Sequence, residues 1–367
     1  MAKRQFDHEI MVLQGGGALG AYHAGVYEGL AEVGRAPTWV VGVSIGAITS
    51  ALIAGNPIGK RVERLRTFWE RVSGYAPFTW PTWFDAMRPM LNAMSAGSVA
   101  AFGSPGFFTP RVPAPFFAPD GSIGATSFYD TTPLRDTLEE LVDFDLLNNG
   151  DMRTSLGAVN VRTGESVYFD SQNMRIGPEH VMASGSLPPG FPAVEIDGEC
   201  YWDGGIVSNT PLNYVVDQKP LTTALILQVD LFKATGELPR NLDEVLERHK
   251  DIQYASKQRF NTERVREIGE LRVALKHLLA KLPANLKSGA EAKKLATLCD
   301  DRQWTIARLV NKRLEHVSRT KDYEFSRATM AEHWAAGLDD IRRSVAARDW
   351  IEPTFAGEGV QFFDLPA

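Results

Sequence analysis

Trp39-Val40-Val41-Gly42-Val43-Ser44-Ile45-Gly46-Ala47-Ile48-Thr49-Ser50-Ala51-Leu52-Ile53 is the stretch on which the reading of the fold turns. Apolar Trp39–Val43 reads as a buried strand, and the run from Ala47 onward as the opening of a helix. Between them lies a Gly-x-Ser-x-Gly pattern, which on a strand-to-helix turn exposes a serine hydroxyl above a sheet. Gly42 and Gly46 leave room for neighbouring backbone, so that such a turn can close. Ser44 is therefore a candidate nucleophile, the alternative being an ordinary glycine-rich turn.

Upstream, residues 10–14 read as a strand broken by Gly15-Gly16-Gly17-Ala18-Leu19-Gly20, and residues 21–33 as a helix. The order strand, glycine loop, helix, strand, elbow, helix opens a mainly parallel sheet covered on both faces. Further on, residues 133–142 read as a helix, and 155–161 and 166–170 as strands about a Thr163-Gly164 turn. Residues 225–230 read as another central strand. From about 241 to 349 the pattern is helical: Ile268, Leu271, Leu275, Leu278 and Leu282 recur at helical spacing, as do Ile306, Val310, Leu314 and Val317. The end from Pro353 reads as a short tail. Residues 77–129 hold eight prolines and eleven aromatics, so little regular structure is expected there.

The chain has 367 residues, enough for one large α/β domain with an appendage or for two domains. Hydrophobic residues at 44% and charged residues at 23% place it among ordinary globular proteins. Cys200 and Cys299 define neither a disulfide framework nor a zinc site, which predicts a reducing compartment. Lys3 and Arg4 are followed by Asp7, His8 and Glu9 before any apolar run, unlike a signal peptide, and no run suits a membrane span. A cytoplasmic location is expected. Residues 237–350 hold 23 Lys and Arg against 18 Asp and Glu, while the whole chain is at −6. That excess reads as a solvated helical surface, and no nucleic-acid partner is expected.

A serine is a weak nucleophile without a base and without donors for the oxyanion that its attack creates. The 15–20 loop, opening a helix, can supply backbone donors. Gly15-x-Gly17-x-x-Gly20 also matches a dinucleotide fingerprint, but the second strand ends without an acid and Glu32 lies earlier, on the helix. That reading is set aside. For the base, His249, His277 and His316 would complete a histidine triad, yet each sits in a charged helical pattern. Asp203, in Tyr201-Trp202-Asp203-Gly204-Gly205, sits on a tight loop after a strand, where open α/β sheets gather active-site groups. Asp-Gly is equally a common turn pair, so the local residues leave the choice open.

The glycine loop 15–20, the Gly42–Gly46 elbow and Asp203-Gly204-Gly205 together resemble the patatin-like phospholipases. Ala183-Ser184-Gly185-Ser186-Leu187-Pro188-Pro189-Gly190-Phe191-Pro192 and Asn209-Thr210-Pro211-Leu212 fit the same family, over roughly residues 8–232. The resemblance implies a three-layer α/β/α fold with a mainly parallel sheet and a helical C-terminal appendage. The units would be a catalytic domain over 8–235, with 77–129 inserted, a helical extension over 236–350 and a tail over 351–367. Ser44 would be nucleophile and Asp203 base in a dyad without histidine, with the amides of Gly16, Gly17 and Ala18 as oxyanion hole. The motif glycines are Gly15, Gly20, Gly42, Gly46, Gly204 and Gly205.

That set implies a serine lipid acyl hydrolase of the phospholipase or esterase type. Neither a metal nor a cofactor is expected, and the oligomeric state is left open. The alternatives are a thioester or storage-polyester hydrolase and a catalytically silent binding scaffold. Leu19 departs from the Arg or Lys of many members, which favours neutral esters over phosphate-bearing ones. The 236–350 region resembles the extension of a bacterial subgroup. The insertion reads either as a lid or acyl channel touching lipid through Trp80, Trp83, Phe107 and Phe108, or as a proline-braced satellite core. Residues 268–282, with Arg272, Lys276 and Lys281, read either as a peripheral contact with an anionic membrane or, by the usual rule for an apolar stripe, as packed on the α/β core.

Overall fold

The computed structural model describes residues 6–73, 88–218, 223–299, 302–312, 321–352 and 359–366. Strand β1 (His8–Leu13) leads through a short 3-10 turn into α1 (Ala21–Glu32), and β2 (Trp39–Val43) into α2 (Ile45–Ala54). Then follow α3 (Arg61–Val72), α4 (Arg88–Phe102), β3 (Thr109–Pro110), β4 (Tyr129–Asp130), α5 (Thr132–Leu141) and α6 (Phe144–Asn149). The middle of the chain supplies β5 (Arg153–Asn160), β6 (Ser166–Asp170), α7 (Pro178–Ser184), β7 (Val194–Ile196), β8 (Glu199–Asp203) and α8 (Leu212–Asp217). The last third holds β9 (Thr223–Asp230), α9 (Leu242–Lys281), α10 (Ala284–Lys287), α11 (Ala290–Ala296), β10 (Gln303–Val310), α12 (Arg327–Ala347) and β11 (Gly359–Asp364).

Among the described residues nine strands form one sheet in the order β11-β10-β9-β1-β2-β5-β8-β7, with β6 also on β5. From β11 to β5 every pairing is parallel, whereas β6, β8 and β7 join antiparallel. Alternation divides each central strand between two cores, because successive side chains point to opposite faces. Met11, Leu13, Leu225, Leu227 and Val229 join the core under α1, α2, α3 and α12. Ile10, Val12, Ala224 and Ile226 join the core under α8 and α9. Burial on both faces explains why β1, β2 and β9 read as continuous apolar runs. The result is the expected three-layer α/β/α architecture with a mainly parallel sheet.

Four local expectations need correction. Ile306 and Val310 are not helical but lie in β10, which pairs with β9 along its whole length. The stretch Trp304-Thr305-Ile306-Ala307-Arg308-Leu309-Val310 fits an alternating pattern as well as a helical one, and the open edge of β9 selects the strand; Leu314 and Val317 lie outside the described residues. The tail supplies β11, the outermost strand on that side. Within the insertion, α4 is a regular helix of 15 residues. Its only proline, Pro89, sits in the first turn, where the missing N–H leaves no bond unmade. Trp80 and Trp83 lie outside the described residues. Helicity is as expected around residue 268, but Leu271 and Leu278 are 66% and 59% exposed, so this stripe does not face the core.

The C-terminal region is helical, as expected, and α12 packs along α1 at very close range. A methyl group added to Gly25 would lie 2.0 Å from the Trp334 carbonyl oxygen, and one added to Gly337 2.2 Å from that of Tyr22. The backbones touch only because both residues are glycine. Gly337→Val is expected to destabilise the fold by about 2–3 kcal/mol through overpacking, read as a lower urea midpoint; an unchanged midpoint would mean that the helices separate freely.

Candidate active site

Ser44 joins β2 to α2 with φ 58° and ψ −125°, a conformation that costs a non-glycine residue of order 1–3 kcal/mol. Its amide donates to both the carbonyl and the hydroxyl oxygen of Ser184, each at 3.1 Å. The Ser184 hydroxyl in turn donates to the Gly157 carbonyl of β5 at 2.6 Å. The elbow is tight: a Cβ on Gly42 would lie 2.2 Å from the Gly46 carbonyl oxygen, and one on Gly46 2.4 Å from that of Leu13.

Asp203 ends β8, opposite Ala158 of β5, and is 2% exposed. Ser44 shares the cavity wall with Asp203, and its hydroxyl favours the ionised carboxyl. The Gly205 amide donates to Oδ1 at 2.7 Å, from the turn that Gly204 opens. Burial pushes the carboxyl up to about 6, against the opposing pull of these two donors. Asn209 ties this loop to the first one: its Nδ2 donates to the Gly15 carbonyl at 2.9 Å, and its carbonyl accepts from the Gly15 amide at 3.1 Å.

In the glycine loop, the amides of Gly16 and Gly17 meet no backbone acceptor among the described residues. The Ala18 amide differs from expectation. It donates to the Asp322 carbonyl at 2.9 Å and is closed to a substrate in this conformation. Leu19 is fully buried in the core, and Gly20 leads into α1.

A cavity of about 450 Å³ gathers Gly15, Gly16, Gly17, Ser44, Asp203 and Gly205 in its wall. The insertion supplies Val99, Phe107, Phe108 and Tyr129; the aromatic rings pack with Phe191 and Phe325 at centroid distances of 4.8–6.1 Å. Phe107 and Phe108 are buried in the main core and line the cavity, so neither offers the outward lipid contact expected of it. Tyr254 of α9 and Asp322, Tyr323 and Phe325 complete the wall. Burial and the charges of Asp322 and Asp203 push the Tyr254 phenol up, so it stays a neutral donor. Among the lining residues the acids are Asp203 and Asp322, and there is no Lys, Arg or His.

Several sequence candidates lie elsewhere. His249 and His277 are exposed on α9, away from the cavity, and His316 lies outside the described residues. Glu32, at the far end of α1, pairs with Arg342 at 2.8 Å. Cys200 and Cys299 are free thiols. Among the described residues, no cluster of His, Cys, Asp and Glu could hold a metal, and no helix is long and apolar enough to cross a membrane. The roles of Ser184 and Asn209 were missed, though both stand in motif blocks. Tyr254, Asp322, Tyr323 and Phe325 gave no local signal, since only the folded chain brings them to Ser44.

The model of the family described as patatin-like phospholipase matches residues 11–216, and a second model, patatin phospholipase, matches 252–355. No curated protein matches the chain. Among solved structures, it is similar to VipD from Legionella pneumophila at 14% identity and a TM-score of 0.40, over 91% of this chain and 66% of that one. Human GIVD cytosolic phospholipase A2 aligns at 12% and 0.35, over 60% and 42%. The type III effector protein ExoU aligns at 11% and 0.34, over 93% and 53%. The chain thus spans 42–66% of the length of these structures. The first family model covers more than half of the chain, and the chain belongs to the patatin-like phospholipase family.

Proposed function

We propose that this protein is a serine lipid acyl hydrolase that cleaves carboxylic esters through a Ser44–Asp203 dyad. The observation that carries the reading is Ser44, on its strained elbow, sharing the wall of one apolar cavity with the buried carboxyl of Asp203. Asp203 takes the proton as Ser44 Oγ attacks the ester carbonyl carbon. The carbonyl oxygen, now an anion, accepts from the Gly16 and Gly17 amides; the Ala18 amide is left out because Asp322 already holds it. As the tetrahedral intermediate collapses, the alcohol leaves with the proton from Asp203 and an acyl-enzyme remains. Water then gives a proton to Asp203 as it adds to the acyl carbonyl; when this second intermediate collapses, Asp203 returns the proton to Ser44 Oγ and the acid leaves. Among the described residues the cavity wall carries two acids and no cation, and Leu19 is buried, so a neutral acyl ester fits better than a phosphate beside the scissile bond.

A fluorophosphonate probe should label the wild type once by intact mass, and Ser44→Ala not at all. Asp203→Asn should label at least ~100-fold more slowly, the usual scale for losing a general base. His249→Ala and His277→Ala should label like the wild type. A folded wild type that stays unlabelled overturns the reading.

The acid limb supplies a second test. Asp203 acts only when ionised, so kcat/KM for a soluble ester should be level above pH 7 and fall tenfold per unit below about 6. The sign for stability is the reverse. A carboxyl raised above its unfolded value contributes stability that is fully present below pH 3.8 and lost as pH rises through 6. Asp203→Asn should therefore be more stable than wild type at pH 8, by up to about 3 kcal/mol, while inactive. An acid limb near pH 4 would separate the base from this buried carboxyl.

A further inference from the structure

We infer that the helical arm made by the end of α9 with α10 and α11 is a docking surface for an anionic lipid bilayer. None of residues 271–299 is buried. Leu271, Leu278, Leu286 and Leu298 are 66%, 59%, 54% and 54% exposed. Helix α9 still packs on β11 at Val273, against which a Cβ on Gly359 would stand 3.0 Å from Cγ2. Beyond that point α11 folds back along α9, and the leucines keep their exposure.

Charge identifies the occupant. Residues 271–299 carry six Lys and Arg and one acid, Glu291, a balance of +5, while the whole chain is at −6 and the remainder at −11. The basic excess of the C-terminal third is therefore confined to this arm instead of being spread over a solvated face. Leucines among lysines suit the boundary of a bilayer: the apolar groups enter the acyl region and the cations meet lipid phosphates. Twofold pairing with a second copy would bring like charges together. A nucleic acid would leave the leucines in water, and the arm has no Phe, Tyr or Trp on which a base could stack.

The arm is an anchor and not part of the cavity rim. Leu278 lies 24 residues beyond Tyr254 on one helix, roughly 36 Å along its axis. The inference therefore stands apart from the hydrolase reading.

The test is co-sedimentation of the full chain with vesicles of phosphatidylcholine and phosphatidylserine, against phosphatidylcholine alone. Binding should require phosphatidylserine and weaken with salt. It should fall at least about tenfold when Lys276→Glu, Lys281→Glu and Lys287→Glu are combined. Leu271→Ser with Leu278→Ser should weaken it at unchanged charge. Fluorophosphonate labelling of Ser44 should be the same in all these variants, which shows them folded and separates this result from the catalytic one. Equal binding to both vesicles, or none, overturns the inference. So does retention of RNA without vesicle binding, or a dimer that dissociates in the leucine variant.

Discussion

The left-handed backbone of Ser44 is the constraint on which the site depends. A serine at φ 58° is held there by its neighbours and not by its own preference. Ser184 receives its amide twice and is itself fixed to β5, while Gly42 and Gly46 allow the contacts that close the turn. Relaxation of this elbow would turn the hydroxyl from Asp203. The parallel neighbours β1 and β2 set the second relation, because the glycine loop and the elbow leave adjacent strands at the same edge of the sheet. Chain direction alone puts the glycine loop beside Ser44.

The same burial that positions Asp203 alters its chemistry. A carboxylate in water is a poor base for a serine hydroxyl, and desolvation makes it a stronger one. The Ser44 hydroxyl and the Gly205 amide moderate that effect without cancelling it, so burial still favours the neutral carboxyl. Under the dyad proposed above, opposition between stability and activity is localised in this one carboxyl group.

The C-terminal third is built into the same sheet and cavity wall as the motif-bearing part and is more than an attachment to it. Strands β10 and β11 extend the sheet, and α12 lies against α1. The segment at Asp322 reaches the glycine loop, where Lys250 and Asp322, 2.6 Å apart, hold it to α9; Lys321 and Asp251 form a second pair at the same distance. Its carbonyl occupies the Ala18 amide, and Tyr323 and Phe325 close the cavity. A region without a catalytic motif thereby helps set the shape of the space beside Ser44.

What the sequence by itself determined were the features written in short segments. Continuous apolar runs gave β1, β2 and β9, since strands buried on both faces need no alternation. The strand–glycine–helix order gave the elbow and the loop, because local sterics confine those turns to glycine. Residues 306–310 were ambiguous in isolation, as the same apolar spacing serves a helix or a strand, and only pairing with β9 decided it. Tertiary structure alone decided that Ala18 is engaged and that Tyr254 and Phe325 wall the cavity. It also decided that Leu271 and Leu278 face solvent. Each of these depends on contacts between residues far apart in the chain, and local pattern cannot encode which distant surface a side chain or an amide will meet.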